Sequence, residues 1–346
     1  MLPEEMTLAS VSNRLMCEIF KGLAVVALAL ATAPSSYADS IYVVNEADQT
    51  LSVIDSSKNT VVATIPVNDS VHSMVMARDS SKLYISTTNG NIIRILNTQT
   101  NSFTGSISLP DGPSALAVSP DGGSLYASSM SGNVYIISTE SEALSGTLSN
   151  ALYPGAEQSA AVSSDGSLLF VAVGGIRPLT VQFLNTATRV AGAVPGPGNC
   201  YAVVANPKSD LAYVGCSGGT IYAVDSTRNF STTPILAGSQ ASSGAMTPDG
   251  QTLYFTTESS GILAIDPTTF SIKQTIPDAG FPWGVAITAD GKHAYVPNIL
   301  TDTVTIIDTS TNAIVGAIPV GISPDIAVSG LVTVSFAKYT PELLVA

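Results

Sequence analysis

Residues 294–320, AYVPNILTDTVTIIDTSTNAIVGAIPV, match element for element a stretch near the other end of the chain, IYVVNEADQTLSVIDSSKNTVVATIPV at 41–67. Each copy holds an aromatic-aliphatic strand, a polar turn and a second strand ending in Asp. A turn rich in Thr, Ser and Asn then leads to a third strand that closes on Ile-Pro-Val. Degenerate copies fill the chain between them. The aromatic that opens each copy is Tyr42, Tyr84, Tyr126, Phe170, Tyr213, Tyr254 or Tyr295, and neighbours lie 41 to 44 residues apart. Seven units of that length, alternating at period two and bounded by turn residues, are the pattern of four-stranded propeller blades rather than of stacked helix pairs. The expected fold is all-β: a seven-bladed β-propeller of four-stranded antiparallel blades.

Within a unit the first strand is small on one face, as in Ala115, Ala117 and Ser119 or Gly284, Ala286 and Thr288. Blades converge on an axis, so these strands are expected innermost. A hairpin turn follows as Pro120-Asp121-Gly122, Ser164-Asp165-Gly166, Pro248-Asp249-Gly250 or Ala289-Asp290-Gly291. Asp accepts local backbone hydrogen bonds and Gly takes positive φ, as a tight turn requires. Arg78-Asp79-Ser80 and Pro207-Lys208-Ser209 lack the Gly, which predicts looser turns. The Pro of Ile-Pro-Val suits a free outer edge that needs no ladder donor. The repeat begins at a second strand and ends on an orphan inner strand, Asp325–Ser329. One C-terminal inner strand is therefore expected to join three N-terminal strands, which closes the ring and removes an open sheet edge. The apolar run LVTVSF (331–336) is one strand more than seven blades need.

Residues 23–33, LAVVALALATA, form an apolar run too short to span a bilayer, preceded by Arg14 and Lys21 and followed by Ser36-Tyr37-Ala38. That layout predicts a secretory signal peptide over 1–38, a propeller over 39–336 and a tail over 337–346. An exported protein of the periplasm, cell surface or extracellular space is expected, with no transmembrane segment after cleavage. Loss of 1–38 removes three of 26 acidic and two of 13 basic residues, leaving 23 against 11. A net charge of −12 without Lys/Arg clusters argues against nucleic acid or anionic membrane as partners.

Tyr-Val-x-Asn at 42–45 and 295–298, followed by strands ending Val-Ile-Asp or Ile-Ile-Asp, resembles the YVTN β-propeller repeat family. The resemblance covers roughly 40–330 and is degenerate in the middle units, which read YASS and FVAV. It implies a seven-bladed propeller of exported or surface-layer proteins, mostly without established activity, and so speaks to fold more than function.

Few residues offer chemistry. His293 begins a second strand and reads as structural, whereas His72 precedes an inner strand at the channel rim. Two histidines on different blades make neither a zinc set nor a Ser-His-Asp arrangement. Asp55, Asp225, Asp266 and Asp308 end equivalent strands and are expected to cap their own turns. The loops that lead into the inner strands bring Asp69, His72, Asp111, Glu157, Asn199, Asp278, Trp283 and Asp325 to one rim, a mostly acidic ring holding the only Trp. A ligand is expected there: a protein, a glycan or a small molecule. The favoured function is a non-catalytic binding or scaffold propeller of the cell envelope or secreted fraction, with no cofactor and no metal. The alternative is a metal-dependent, lactonase-like hydrolase or lyase using rim carboxylates. Haem is disfavoured by the lack of C-x-x-C-H.

Only Cys200 and Cys216 remain after position 38, on the two strands of one hairpin. Residues paired across an antiparallel hairpin keep a constant index sum, and these two centre on Lys208 in the turn. They are expected to face each other and form a disulfide.

Overall fold

The computed structural model describes residues 39–174, 179–195, 199–278, 280–329 and 335–336; the predicted signal peptide and the 337–346 tail lie outside them. The chain forms seven antiparallel sheets, six of four strands and one of five. Blades 1 to 6 follow in chain order over residues 71–108, 113–148, 156–195, 200–236, 241–276 and 286–319. The closing blade pairs Ser40–Asn45, Thr50–Asp55 and Thr60–Pro66 with the C-terminal inner strand Pro324–Val328. Ring closure is thus the three-plus-one arrangement expected from the repeat. In every blade the inner strand is buried, as in Pro113–Val118 and Ala241–Met246, and the outer strand is largely exposed, as in Thr60–Pro66 and Ala313–Pro319.

The repeated residues work between blades. Tyr42 donates its hydroxyl to Asn101 Oδ1 at 2.7 Å, Tyr295 to Asn59 Oδ1 at 2.6 Å and Tyr254 to Asn312 Oδ1 at 2.5 Å. Each acceptor lies in the outer turn of the neighbouring blade and holds a left-handed backbone, φ 50° to 55°. Asn is one of the few side chains that adopt that conformation cheaply. The unit's opening Tyr and its turn Asn therefore form one interblade tie. Tyr213 has no such Asn opposite it, because Phe270 occupies the turn position, and it donates to the Pro267 carbonyl at 3.0 Å instead. Burial pushes the phenols of Tyr42, Tyr213 and Tyr295 up to about 12.

The Asp-Gly hairpins join blades as well. Asp121 Oδ1 accepts from Ser119 Oγ at 2.5 Å and from Gly123 N at 2.9 Å, and the same pattern recurs at Asp165, Asp249 and Asp290. Gly122 has φ +76°, and a Cβ there would stand 3.2 Å from Arg78 Cβ of the preceding blade. The Gly is thus needed both for the turn and for the neighbour. Of the two turns without Gly, that at Ser80 keeps its inner hydrogen bond, Ser80 N to Ala77 O at 2.9 Å, by taking φ 58°. At 206–211 the Asn206 side chain accepts from Lys208 N at 2.8 Å within the turn. Only the sequence requirement is relaxed at Ser80; the turn itself is not.

Ser335–Phe336, the end of the LVTVSF run, pairs with the inner strand of blade 5 at Gly244 and Ser243. The same pair of residues approaches the inner strands of blades 1, 2, 3 and 4. A segment that meets five inner strands stands in the central channel, so Ser335–Phe336 is axial rather than part of an eighth blade.

Candidate functional site at the channel rim

The inner hairpins do not keep a single register. In blade 4, Val203 pairs with Val214 and Val204 with Tyr213, an index sum of 417, yet Cys200 pairs with Cys216, a sum of 416. One extra residue, Tyr201, is accommodated by a bulge between them. The disulfide Cys200–Cys216 is present, with Cα atoms 3.9 Å apart. Its register differs from the one expected: the turn centres between Lys208 and Ser209, and without the bulge neither cysteine would oppose the other.

The same shift recurs around the ring. His72 is the extra residue in blade 1, Ser242 in blade 5 and residue 158 in blade 3. Blade 2 and the closing blade gain one residue just after Pro113 and Pro324, at Ser114 and Asp325. In blade 6 the bridge from Pro282 to Asn298 and the pair Ala286–Tyr295 differ by the same single step, which Trp283 opens. A bulge bends its strand and re-aims a side chain, and here it does so at the rim end of all seven inner strands. The direction is set by one contact. Tyr201 of blade 4 packs in one apolar cluster with Trp283 of blade 6 and with Ile299 and Phe281. Blade 5 lies between those blades, so Tyr201 can reach the blade 6 side chains only over the channel mouth.

This throat separates the residues expected at the rim. His72, Trp283 and Asp325 belong to the bulge ring. Trp283 is 3% exposed and stacks on Phe281, with ring centroids 5.9 Å apart; Phe281 holds φ +60°, a strained value for a bulky residue. Thr88 Oγ1 lies 3.3 Å from His72 Nε2. Asp325 is 1% exposed, and its Oδ1 accepts from Ile326 N at 2.7 Å. Asn199, φ 49°, immediately precedes the strand Cys200–Ala205.

The other carboxylates accept hydrogen bonds from adjoining strands and loops of the blade each leads into. Asp69 accepts from the Asn89 side chain at 2.8 Å, and Asp278 from Thr305 Oγ1 and Gly280 N, both at 2.8 Å. Asp111 accepts from Tyr135, from Asn133 at 3.0 Å and from Ser129 at 3.1 Å. Burial works to raise the Asp111 carboxyl, but donors led by Tyr135 outweigh it and hold the group below the usual range. The Glu157 side chain lies outside those described. Among the described residues, no three His, Cys, Asp or Glu side chains come together as a metal-holding group. The four strand-ending aspartates cap their turns, for example Ser57 N to Asp55 Oδ1 and Ser310 N to Asp308 Oδ1, both 2.9 Å.

Tyr201, Ser242, Phe281 and Ile299 escape a reading by residue type, since none is acidic, basic or unique. Their signal is the index sum, which changes by one within each inner hairpin. Glu258 stands in the same neighbourhood. It accepts from Gln240 Nε2 at 2.6 Å, its carboxyl is raised by burial, and its charge acts on the Tyr201 phenol. At the opposite mouth a cavity of about 190 Å³ is lined by Arg78, Ser164 and Asn206 among prolines 120, 207 and 248.

No family model and no curated protein matches the chain. Among solved structures it is similar to hydrazine synthase of Kuenenia stuttgartiensis, at 17% identity and a TM-score of 0.62, covering 78% of this chain and 96% of that one. It is also similar to dihydro-heme d1 dehydrogenase NirN in complex with DHE, at 15% identity and a TM-score of 0.64, covering 86% and 78%. At these identities the likeness establishes the propeller fold.

Proposed function

We propose that the chain is an exported, non-catalytic binding or scaffold propeller of the cell envelope or secreted fraction, related to the YVTN repeat proteins, that takes its ligand at the bulge-ring rim. The observation that carries this reading is the ring itself. All seven inner strands spend a residue on a bulge at one end of the channel, and one of those residues, Tyr201, packs across blades against the cluster that holds another, Trp283. A structural bulge in one blade needs no function; the same irregularity at the same mouth in seven divergent units supports a ligand site there. The Cys200–Cys216 bond fits an oxidising compartment. The similar NirN structure is a complex with DHE, which supports a binding role for a chain of this fold.

The lactonase-like alternative needs carboxylates free to converge on a metal or a proton. Asp69, Asp111 and Asp278 each already accept from a side chain of an adjoining strand or loop, which supports the binding reading over it. The test has two arms. The chain from Met1 is expressed and its mature fraction located, with residues 1–38 expected to be absent by intact mass. The mature protein is then screened by thermal shift against glycans, small molecules and envelope extracts, in wild type and in Tyr201→Ala. Hits lost in Tyr201→Ala support the rim. Retention in the cytoplasm with an intact amino terminus, or hits indifferent to Tyr201, would count against it.

A further inference from the structure

At the mouth opposite the rim, one position of the repeat changes character in a single blade. The first central residue of the inner hairpin turn is Pro120 in blade 2, Ser164 in blade 3, Pro207 in blade 4, Pro248 in blade 5 and Ala289 in blade 6. In blade 1 it is Arg78. Pro120 and Pro248 pack on the turn glycine of the next blade, where a Cβ on Gly166 or Gly291 would stand 3.5 Å or 3.2 Å from the proline Cδ. Arg78 uses the same seat: a Cβ on Gly122 would stand 3.2 Å from its Cβ and 3.4 Å from its Cγ. The aliphatic stem of Arg78 thus does the packing that proline does elsewhere, and the guanidinium is surplus to it.

Arg78 Nε donates to the Ser119 carbonyl at 3.3 Å, and its Nη donors have no protein partner among the described residues. Burial works against its charge and pulls the group down from its ordinary value, while Asp121 acts on it the other way from longer range. A guanidinium does not give up its proton in a protein, so a half-buried cation with an unengaged fork is kept at this mouth.

Arg78 lines the cavity of about 190 Å³ there. With Pro120, Ser164, Pro207 and Pro248 it forms a wall drawn from the same position of five successive blades, so the cavity lies on the channel axis. Val162, Val204 and Met246 of the inner strands line it further in. The axial pair Ser335–Phe336 meets blade 5 at Ser243 and Gly244, on the rim side of Met246. Among the described residues Arg78 is the only charged one in the lining. The hairpin aspartates of blades 2, 3 and 5 stand outside it, each with one oxygen bonded to its own turn. On its other side Arg78 borders a hollow between blades 1 and 2, where Asp79, Asp121 and Glu140 would repel an anion.

We propose that the axial cavity binds a small aromatic monocarboxylate, at a second site independent of the rim. The carboxylate meets the Arg78 fork, whose planar donors match two parallel oxygens. The ring lies among the prolines and the aliphatic side chains below them. A cavity of about 150 Å³ holds benzene, so this space admits one ring and its carboxylate. A cation would meet Arg78 as a like charge, and a dianion would face the hairpin aspartates with one guanidinium to offset them. Sulfate or phosphate would leave the apolar wall without a partner.

Mature protein is titrated calorimetrically with sodium benzoate, with benzamide as its neutral near-isostere and with sodium sulfate, at constant ionic strength. The expected result is saturable binding of benzoate, with benzamide and sulfate weaker by about tenfold or more, the range for a hydrogen bond to a charged group. Arg78→Gln should weaken benzoate by a similar factor and leave benzamide unchanged. Arg78→Lys keeps the charge without the fork and should fall between. Ser164→Leu fills the cavity from blade 3 and should weaken benzoate and benzamide alike with Arg78 in place. Each variant is first checked for a wild-type melting profile, and Arg78→Met replaces Arg78→Gln if that one fails. Tyr201→Ala, at the other mouth, should change none of these results, so loss of the rim reading would leave this one standing. Absence of benzoate binding, equal binding of benzoate with benzamide or with sulfate, or benzoate binding indifferent to Arg78 and Ser164 would overturn the assignment.

Discussion

Removing the Tyr–Asn ties should loosen the ring without touching any blade's own core. Tyr42→Phe, Tyr254→Phe and Tyr295→Phe each delete one oxygen and keep the buried ring. The lost hydrogen bonds are neutral, at 2.5 to 2.7 Å, and their acceptors Asn59, Asn101 and Asn312 lie in outer turns where water replaces part of the loss. That places each substitution near 1 kcal/mol. The three donors stand in different blades and share no partner, so the effects should add to about 3 kcal/mol. For a chain of this size that is a fall of roughly 5–10 °C in melting temperature. Tyr213→Phe, which breaks a bond to a backbone carbonyl rather than to an Asn, is the comparison within the same fold. The phenols supply a second readout. Their folded pKa, about 12 for Tyr42, Tyr213 and Tyr295, lies above the unfolded value near 10. The neutral phenol's contribution is therefore complete below pH 10 and is lost as pH rises towards 12. Wild type should unfold in that window together with phenolate absorbance, and the triple Phe variant should lose part of the alkaline transition. A triple variant that melts within 1 °C of wild type and titrates identically would refute the interblade role.

Deleting 322–346 removes Ile326, Ala327 and Val328, all 0% exposed, and bares the edge of Ser40–Asn45. The lost burial is roughly 5 kcal/mol or more, a large share of ordinary stability, so calorimetry should show a broad, lowered transition rather than the full-length one. Reducing Cys200–Cys216 opens a short loop and should cost about 3 kcal/mol or less; circular dichroism should show the ring still folded, and two alkylated thiols without prior reduction would contradict the bond. Asp55, held at about 2 chiefly by Lys58 and Ser57, and Asp165, Asp249 and Asp308, lowered by their turn donors, lend stability above pH 4 that is lost as pH falls towards 2. An acid titration followed by far-ultraviolet circular dichroism should show a decline over that interval, and a flat profile would contradict it.

The repeat made the blades legible because each part of it answers a local physical need. A small residue marks the inner strand, Asp-Gly marks the tight hairpin and Asn marks the left-handed outer turn. Closure followed by counting strands, since an inner strand left over at one end must match three at the other. The Tyr–Asn tie was present in the same letters but not legible in them. A conserved-looking Tyr and a turn Asn in one unit do not disclose that each meets its counterpart in the next blade. The carboxylates misled for the same reason. Asp69, Asp111 and Asp278 each accept from a side chain of an adjoining strand or loop, and a residue list shows charge without showing the donors that occupy it.

The rim was least legible because it depends on register. Within blade 4 the alternation that places Val203 and Val204 opposite Val214 and Tyr213 would, if continued, set Cys216 against Tyr201 and leave Cys200 facing Ser217. The bulge at Tyr201 undoes that and does two things in one step: it brings the cysteines together and turns an aromatic ring over the channel. The disulfide can therefore be read as the clamp of that bulge, since a covalent bond at the first pair beyond an irregularity prevents the strand from slipping back into even register. The other blades hold the same irregularity without a covalent bond. In the closing blade Asp325, at the bulge, accepts from Ile326 N through its own side chain. If the clamp matters, reducing the disulfide should perturb the throat more than the fold. Trp283 reports the throat from two blades away, so its emission should shift on reduction under conditions where the backbone signal does not. Loss of both signals together would mean that the bond holds the blade, and no change in either would mean that the bulge holds itself.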